Sequence, residues 1–141
     1  MAKKKYVVVG AGAIGSLVAD QLAADGHSVT SISRHTAPSK SPMVDHVAGD
    51  AGDATFLARM AADAAAIFNC VNPPYHRWPQ EWPPIAAALL HAAESSGAVL
   101  TTLSNLYAYG EYDGPLTPET PLRAAYAKGI VRGQMWLDAK A

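Results

Sequence analysis

The sequence predicts an α/β domain built on a doubly wound parallel sheet of about five strands, in the order 3-2-1-4-5. Three observations carry this. Short apolar, β-branched runs alternate with stretches of helical periodicity along the chain, and such alternation means right-handed crossovers and parallel strands. The first strand-to-helix junction reads "GAGAIG", with glycines at 10, 12 and 15. The 141 residues make one domain by length, able to bury roughly 70% of the surface an unfolded chain exposes.

The elements follow in order. Residues 5–9, "KYVVV", form a short apolar run bounded by Gly10, as a fully buried parallel strand requires. Ile14, Leu17, Val18 and Leu22 then recur at helical spacing, and Gly26 with His27 stops that helix. A second strand covers Val29 to Ile32, and a loop with Pro38 and Pro42 leads to a third near Met43 to Val47. Asp53 can cap the next helix, through Phe56, Leu57 and Met60. "AAIFNCV", ending at Val71, reads as the fourth strand. "PPYHRWPQEWPP" over 73–84 is too proline-rich to be regular throughout, and serves either as a lid or as an irregular lead into a helix from about Ile85 to Ser96. Ala98 to Leu103 give the fifth strand, a Gly- and Pro-containing loop spans 110–121, and a last helix starts near Leu122.

The glycine turn is the most informative feature. It follows a strand, opens a helix and lies within a strand-helix-strand unit of about thirty residues, the context that makes a G-x-G-x-x-G a dinucleotide cradle. Gly10 permits the tight turn, Gly12 lets the backbone approach a pyrophosphate, and Gly15 lets helix and strand pack closely. Ala13 and Ile14, in the first helical turn, complete the expected cofactor-binding set, since unpaired N–H groups and the positive helix end face the phosphates there. No Gly-Lys-Ser/Thr follows, which excludes a P-loop.

At the end of the second strand an NAD-specific site usually presents Asp or Glu to the ribose. Here stand Ser33 and Arg34. A guanidinium pairs with a 2′-phosphate and Ser33 adds a neutral hydroxyl, so NADP is expected over NAD. Asp50, past the third strand, is expected near the adenine. Asn69 and Val71, at the carboxyl end of the fourth strand, either line the cofactor cleft or satisfy loop backbone.

Composition removes other classes. A net charge of −1 offers no footprint for nucleic acid or an anionic membrane. No apolar stretch approaches the ~20 residues of a membrane span, and glycines at fingerprint positions with Asp20 and Gln21 argue against a secretory leader at "MAKKKYVVVG". The single cysteine, Cys70, excludes an internal disulfide framework and points to a reducing, cytoplasmic compartment. His27, His35, His46, His76 and His91 lack metal-ligand spacing, so no metal is expected.

Taken in order, "VVVGAGAIG", "NPPYHRWPQEWPP", "SNLYAYG", "GPLTPETP" and "KGIVRGQM" resemble the NAD-dependent epimerase/dehydratase branch of the short-chain dehydrogenase/reductase superfamily, and its atypical members most of all. The likeness covers nearly the whole chain. It implies a Rossmann fold over 1–141 that binds NAD or NADP, and hydride transfer at a carbinol or nucleotide-sugar carbon. Ser104, Tyr109 and Lys128 are the catalytic candidates it points to.

The departures are specific. Four residues before the Tyr109-Gly110 pair, where the family places Ser or Thr, stands Asn105, and Ser104 can substitute only if the strand ends or bulges there. Four residues before Lys128 stands Ala124 in place of the family's tyrosine, and Tyr126 is two positions away, on another helical face. Tyr107 or Tyr109 can take the tyrosine role from the loop after the fifth strand, or pack as cleft wall. The chain also ends before the family's substrate-binding region, which leaves a truncated enzyme or a catalytically silent regulatory or redox-sensing module as alternatives. An unpaired fifth strand at the sheet edge leads to the expectation of a homodimer.

Overall fold

The computed structural model describes residues 2–35 and 41–141. Five strands, β1 (Lys5–Val9), β2 (Ser28–Ser33), β3 (Val44–Ala48), β4 (Ala66–Asn69) and β5 (Val99–Thr102), form one parallel sheet in the order β3-β2-β1-β4-β5. The expected sheet is therefore the observed one. The helices are α1 (Ala13–Ala24), α2 (Ala54–Ala61), α3 (Trp78–Ser96) and α4 (Ala127–Lys140), with 3₁₀ turns at Tyr75–Arg77 and Tyr107–Tyr109. The chain's contacts gather into two compact units: the residues up to Asn72 with Pro84–Leu103, and Pro73–Pro83 with Ser104–Ala141.

In the first unit β1 is central, and Val7, Val8 and Val9 are at most 1% exposed, which is why three β-branched residues stand in a row. Val8 joins Ala19, Ala23, Val29 and Val44 in one cluster, with Val18, Leu22 and Met43 packed against it. Alternation turns Val7 and Val9 to the opposite face of the sheet. The pairs Val9↔Ile32 and Val9↔Asn69 bring the carboxyl ends of β1, β2 and β4 to one edge, and the strand order reverses between β1 and β4. That edge is where open α/β sheets bind ligands.

Helix α1 departs from the expected apolar stripe. Ile14 and Leu17 are half-exposed or more, and the buried positions are Gly15, Ala19 and Ala23. Small residues at i, i+4 and i+8 let the helix backbone approach the sheet, and close approach wins over side-chain hydrophobicity. Helix α3 starts at Trp78, seven residues before the expected Ile85, and runs through Pro79, Pro83 and Pro84. Pro79 lies in the first turn, where a missing N–H costs nothing.

In the second unit Trp78 and Trp82, one turn apart, are each 1% exposed, and the Trp78 indole N–H donates to the Pro73 carbonyl at 2.8 Å. Burying two indoles offsets the bonds that Pro83 and Pro84 withdraw. Helix α4 begins at Ala127, later than the expected Leu122, because Ala124 N–H is bonded to the Ala108 carbonyl at 3.1 Å and Tyr126 is extended. Of the expected loop between the second and third strands, Pro38 lies outside the described residues.

Candidate functional site

The glycine turn is built by steric exclusion. Gly10 has φ +99°, a conformation L side chains rarely adopt, and a Cβ there would lie 2.7 Å from the Cys70 carbonyl and the Val71 nitrogen. Its N–H donates to the Ile32 carbonyl at 2.8 Å, which ties the turn to β2. A Cβ on Gly15 would lie 1.8 Å from the Gly10 carbonyl oxygen, so α1 can leave the strand only with glycine at this position.

Gly12 differs from both. It is the N-cap of α1, its φ is −74°, and a Cβ on it would meet no atom within 4 Å. Among the described residues no side-chain hydrogen bond caps the helix. The first intrahelical bond runs from Ser16 N–H to the Gly12 carbonyl at 2.9 Å, so the N–H groups of Ala13, Ile14 and Gly15 have no partner in the helix. Open space beside uncapped donors at a positive helix end fits a dinucleotide pyrophosphate.

The remaining cofactor candidates lie along the same sheet edge. The Ser33 hydroxyl donates to the His35 carbonyl, a local turn that leaves Arg34 exposed at the end of β2. Asp50 is exposed, and its Oδ1 accepts from Gly52 N–H at 2.8 Å. Asp53 is the N-cap of α2, accepting from Phe56 N–H at 2.9 Å as expected. Asn69 is 1% exposed, and its Oδ1 satisfies loop backbone by accepting from Val71 N–H at 3.2 Å. Burial pushes the Cys70 thiol pKa up, and its backbone and Cβ form the wall of the turn against Gly10 and Gly15.

The catalytic candidates belong to the second unit. Ser104 stands two residues past the end of β5, so strand alternation no longer dictates its direction. It is exposed, and its Oγ accepts from the Arg132 guanidinium at 3.2 Å. Asn105, which occupies the family's Ser/Thr position, accepts from Tyr107 N–H through Oδ1 at 3.1 Å and opens the 3₁₀ turn. The Lys128 ammonium sits over the Tyr75 ring at 5.3 Å. Tyr126 donates its hydroxyl to the Tyr107 carbonyl at 3.0 Å. Tyr107, 40% exposed, joins Tyr75 and Trp78 in an aromatic cluster, with centroids 6.3 and 5.8 Å away.

Tyr109 is half-buried and lines a groove of about 500 Å³ with Leu106, Leu122, Trp136 and Leu137. Among the described residues no hydrogen bond joins Tyr109 to Ser104 or Lys128.

Arg132 was not visible as a site residue in the sequence. It is 4% exposed, with its guanidinium carbon 5.7 Å from the Trp78 ring and 4.7 Å from the Trp82 ring, and burial lowers its pKa. The only local signal is its place one turn after Lys128 on the same helix. Among the described residues no group of three or more His, Cys, Asp or Glu could hold a metal ion, and no helix is long and apolar enough to cross a membrane.

Comparison with known proteins shows the family and the fold. A family model described as NAD(P)H-binding matches residues 10–131. Uronate dehydrogenase from Agrobacterium tumefaciens superposes with a TM-score of 0.80 at 23% identity, covering 96% of this chain and 54% of that one. The dTDP-glucose 4,6-dehydratase of Bacillus anthracis, solved in complex with NAD, gives 0.81 at 18% identity, covering 96% and 49%. In sequence, 60 residues are 48% identical to D-amino acid dehydrogenase 2 of Mesorhizobium japonicum, 41% of this chain and 14% of that protein. The chain thus spans about half the length of the two solved enzymes. Family match and shared fold agree with the resemblance read from the sequence: the chain belongs to the NAD(P)H-binding family and has the fold of these two solved enzymes.

Proposed function

We propose that residues 1–141 form a domain that binds NADPH in preference to NADH at the glycine turn and serves hydride transfer at a carbinol carbon of a sugar acid or nucleotide sugar. The observation that carries this reading is the uncapped N-terminus of α1 beside the open space at Gly12. Gly10, Gly12, Ala13, Ile14 and Gly15 hold the pyrophosphate, Asp50 and Val71 flank the nucleotide, and buried Asn69 keeps the loop before Val71 in shape. Exposed Arg34 pairs with the 2′-phosphate, with the turn made by Ser33 fixing its backbone. The bound dinucleotide supplies the hydride donor or acceptor.

Ser104 presents a hydroxyl to the substrate oxygen, Lys128 contributes positive charge, and Tyr109 is the proton carrier. Sugar acids are favoured by the fold shared with uronate dehydrogenase. The reducing cytoplasm suits a chain with one thiol. The exposed outer edge of β5, with Val99 65% exposed, supports pairing of two copies, which a monomer in size-exclusion chromatography would refute.

The test is calorimetric titration of the full chain with NADPH and NADH, then assay with D-glucuronate and UDP-glucose. Arg34→Ala should weaken NADPH binding and leave NADH binding alone; equal losses for both would remove the 2′-phosphate clamp. A second reading, a catalytically silent module, is favoured by Asn105 and Tyr126, whose polar groups are spent on backbone. Cofactor binding without turnover of any carbinol decides for it.

A further inference from the structure

We propose that Arg132 is the positioning residue of Ser104, and that it fixes the polarity of the serine hydroxyl as a hydrogen-bond donor toward a ligand's acceptor oxygen. This rests on the reading that Ser104 faces the substrate.

The geometry separates a buried cation from an exposed hydroxyl. Arg132 is 4% exposed, and its guanidinium carbon lies within 6 Å of two buried indole rings, Trp78 and Trp82, themselves edge-to-face at 6.3 Å. Two ring faces and the Met135 sulfur, 3.8 Å from Nη1, restrict where the fork can point. Nη2 points at Ser104 Oγ, 3.2 Å away, and Ser104 is exposed.

A guanidinium carries donors only. Oγ must therefore accept in this bond, and its own proton is left to be given elsewhere. A charged donor on the oxygen also strengthens the bond that the hydroxyl makes next. Ser104 so held suits a carbonyl or alkoxide oxygen better than a donor group. Lysine cannot replace the arginine, since it lacks the planar fork held beside the two rings.

The test uses the full chain with Ser104→Ala, Arg132→Lys and the double variant. Three readouts apply: ¹⁵N NMR of the Arg132 guanidinium, NADPH affinity by calorimetry, and NADP-dependent oxidation of D-glucuronate. Ser104→Ala should move the Arg132 Nη signals. Arg132→Lys should lower kcat by about 100-fold, with KM and NADPH affinity held within about twofold, and the double variant should be no worse than the worse single one. Melting curves establish that each variant is folded, and Ser104→Ala, at an exposed position, keeps the NMR arm decisive if Arg132→Lys unfolds.

Unmoved Nη signals, or wild-type kcat in folded Arg132→Lys while Ser104→Ala is inactive, would overturn the positioning role alone. Full activity in Ser104→Ala, or no turnover by the wild-type chain, would overturn the reading beneath it and this inference with it.

Discussion

Replacing Gly12 and Gly15 separately by alanine divides folding from binding at the same turn. At Gly15 the new Cβ would stand 1.8 Å from the Gly10 carbonyl oxygen, 3.0 Å from the Gly10 carbonyl carbon and 3.2 Å from the Cys70 Cβ. Clearing the oxygen requires the turn to shift by more than 1 Å, roughly, because unstrained non-bonded contacts lie near 3.5 Å. The obstacle is backbone, so the cost belongs at the upper end of overpacking, about 3 kcal/mol. Alanine recovers about 1 kcal/mol of helix propensity. A net loss of about 2 kcal/mol lowers Tm by roughly 4–8 °C in a domain of this size.

At Gly12 the same methyl meets nothing within 4 Å, and φ of −74° suits any L residue. The folding cost is that of a poorer N-cap, about 0.5 kcal/mol. The methyl does occupy the space assigned to the pyrophosphate, and a clash worth about 1.4 kcal/mol or more raises the Kd for NADPH about tenfold or more. Thermal melting and calorimetric titration of the two variants read both quantities. NADPH binding by Gly12→Ala with wild-type affinity, or a Tm for Gly15→Ala no lower than that of Gly12→Ala, would refute the reasoning.

Three further outcomes are expected. Asp53→Ala removes the cap of α2 and should cost about 1 kcal/mol in urea unfolding. Ser31 is 1% exposed in β2 and its hydroxyl has no hydrogen-bond partner among the described residues, so Ser31→Ala should raise stability by about 1 kcal/mol; a loss of that size would mean the hydroxyl is satisfied in solution. Burial raises the Cys70 pKa, so the unfolded chain loses its thiol proton first. Stability from this group is intact below the ordinary thiol pKa of about 8.5 and falls as pH rises above it, and in Cys70→Ala that alkaline fall should shrink.

The sheet was legible because its signals are local. "KYVVV" is a buried central strand in any parallel sheet, and Gly10, Gly26 and Gly97, all at positive φ, punctuate the chain where the sequence places turns. What the sequence misplaced depends on partners distant in the chain. The buried face of α1 is Gly15, Ala19 and Ala23, small residues whose value is the closeness they allow, while the larger Ile14 and Leu17 stay exposed. The start of α3 was hidden because prolines read as helix breakers, whereas Trp78 and Trp82 hold that turn by tertiary burial. The late start of α4 follows from the bond of Ala124 to Ala108, which no periodicity records.

At the candidate site the same division holds. The glycine turn and the cap at Asp53 are local geometry, and both are where the sequence put them. For Asn69 the sequence offers two roles, and the folded chain adds its bond to Val71 N–H. Arg132 carries little signal in the sequence, because an arginine on a surface helix is ordinarily a solvated charge. Only the folded chain brings it within 6 Å of two tryptophan rings of another helix.

The central claim is that this chain holds a nicotinamide dinucleotide at the glycine turn, and titration of the ¹⁵N-labelled full chain with NADPH, followed by amide NMR, tests it most directly. The account predicts saturable shifts at Gly12, Ala13, Ile14 and Gly15 that share one Kd with shifts at Arg34. Unmoved amides along the turn at saturating NADPH, or shifts confined to residues away from it, would contradict it.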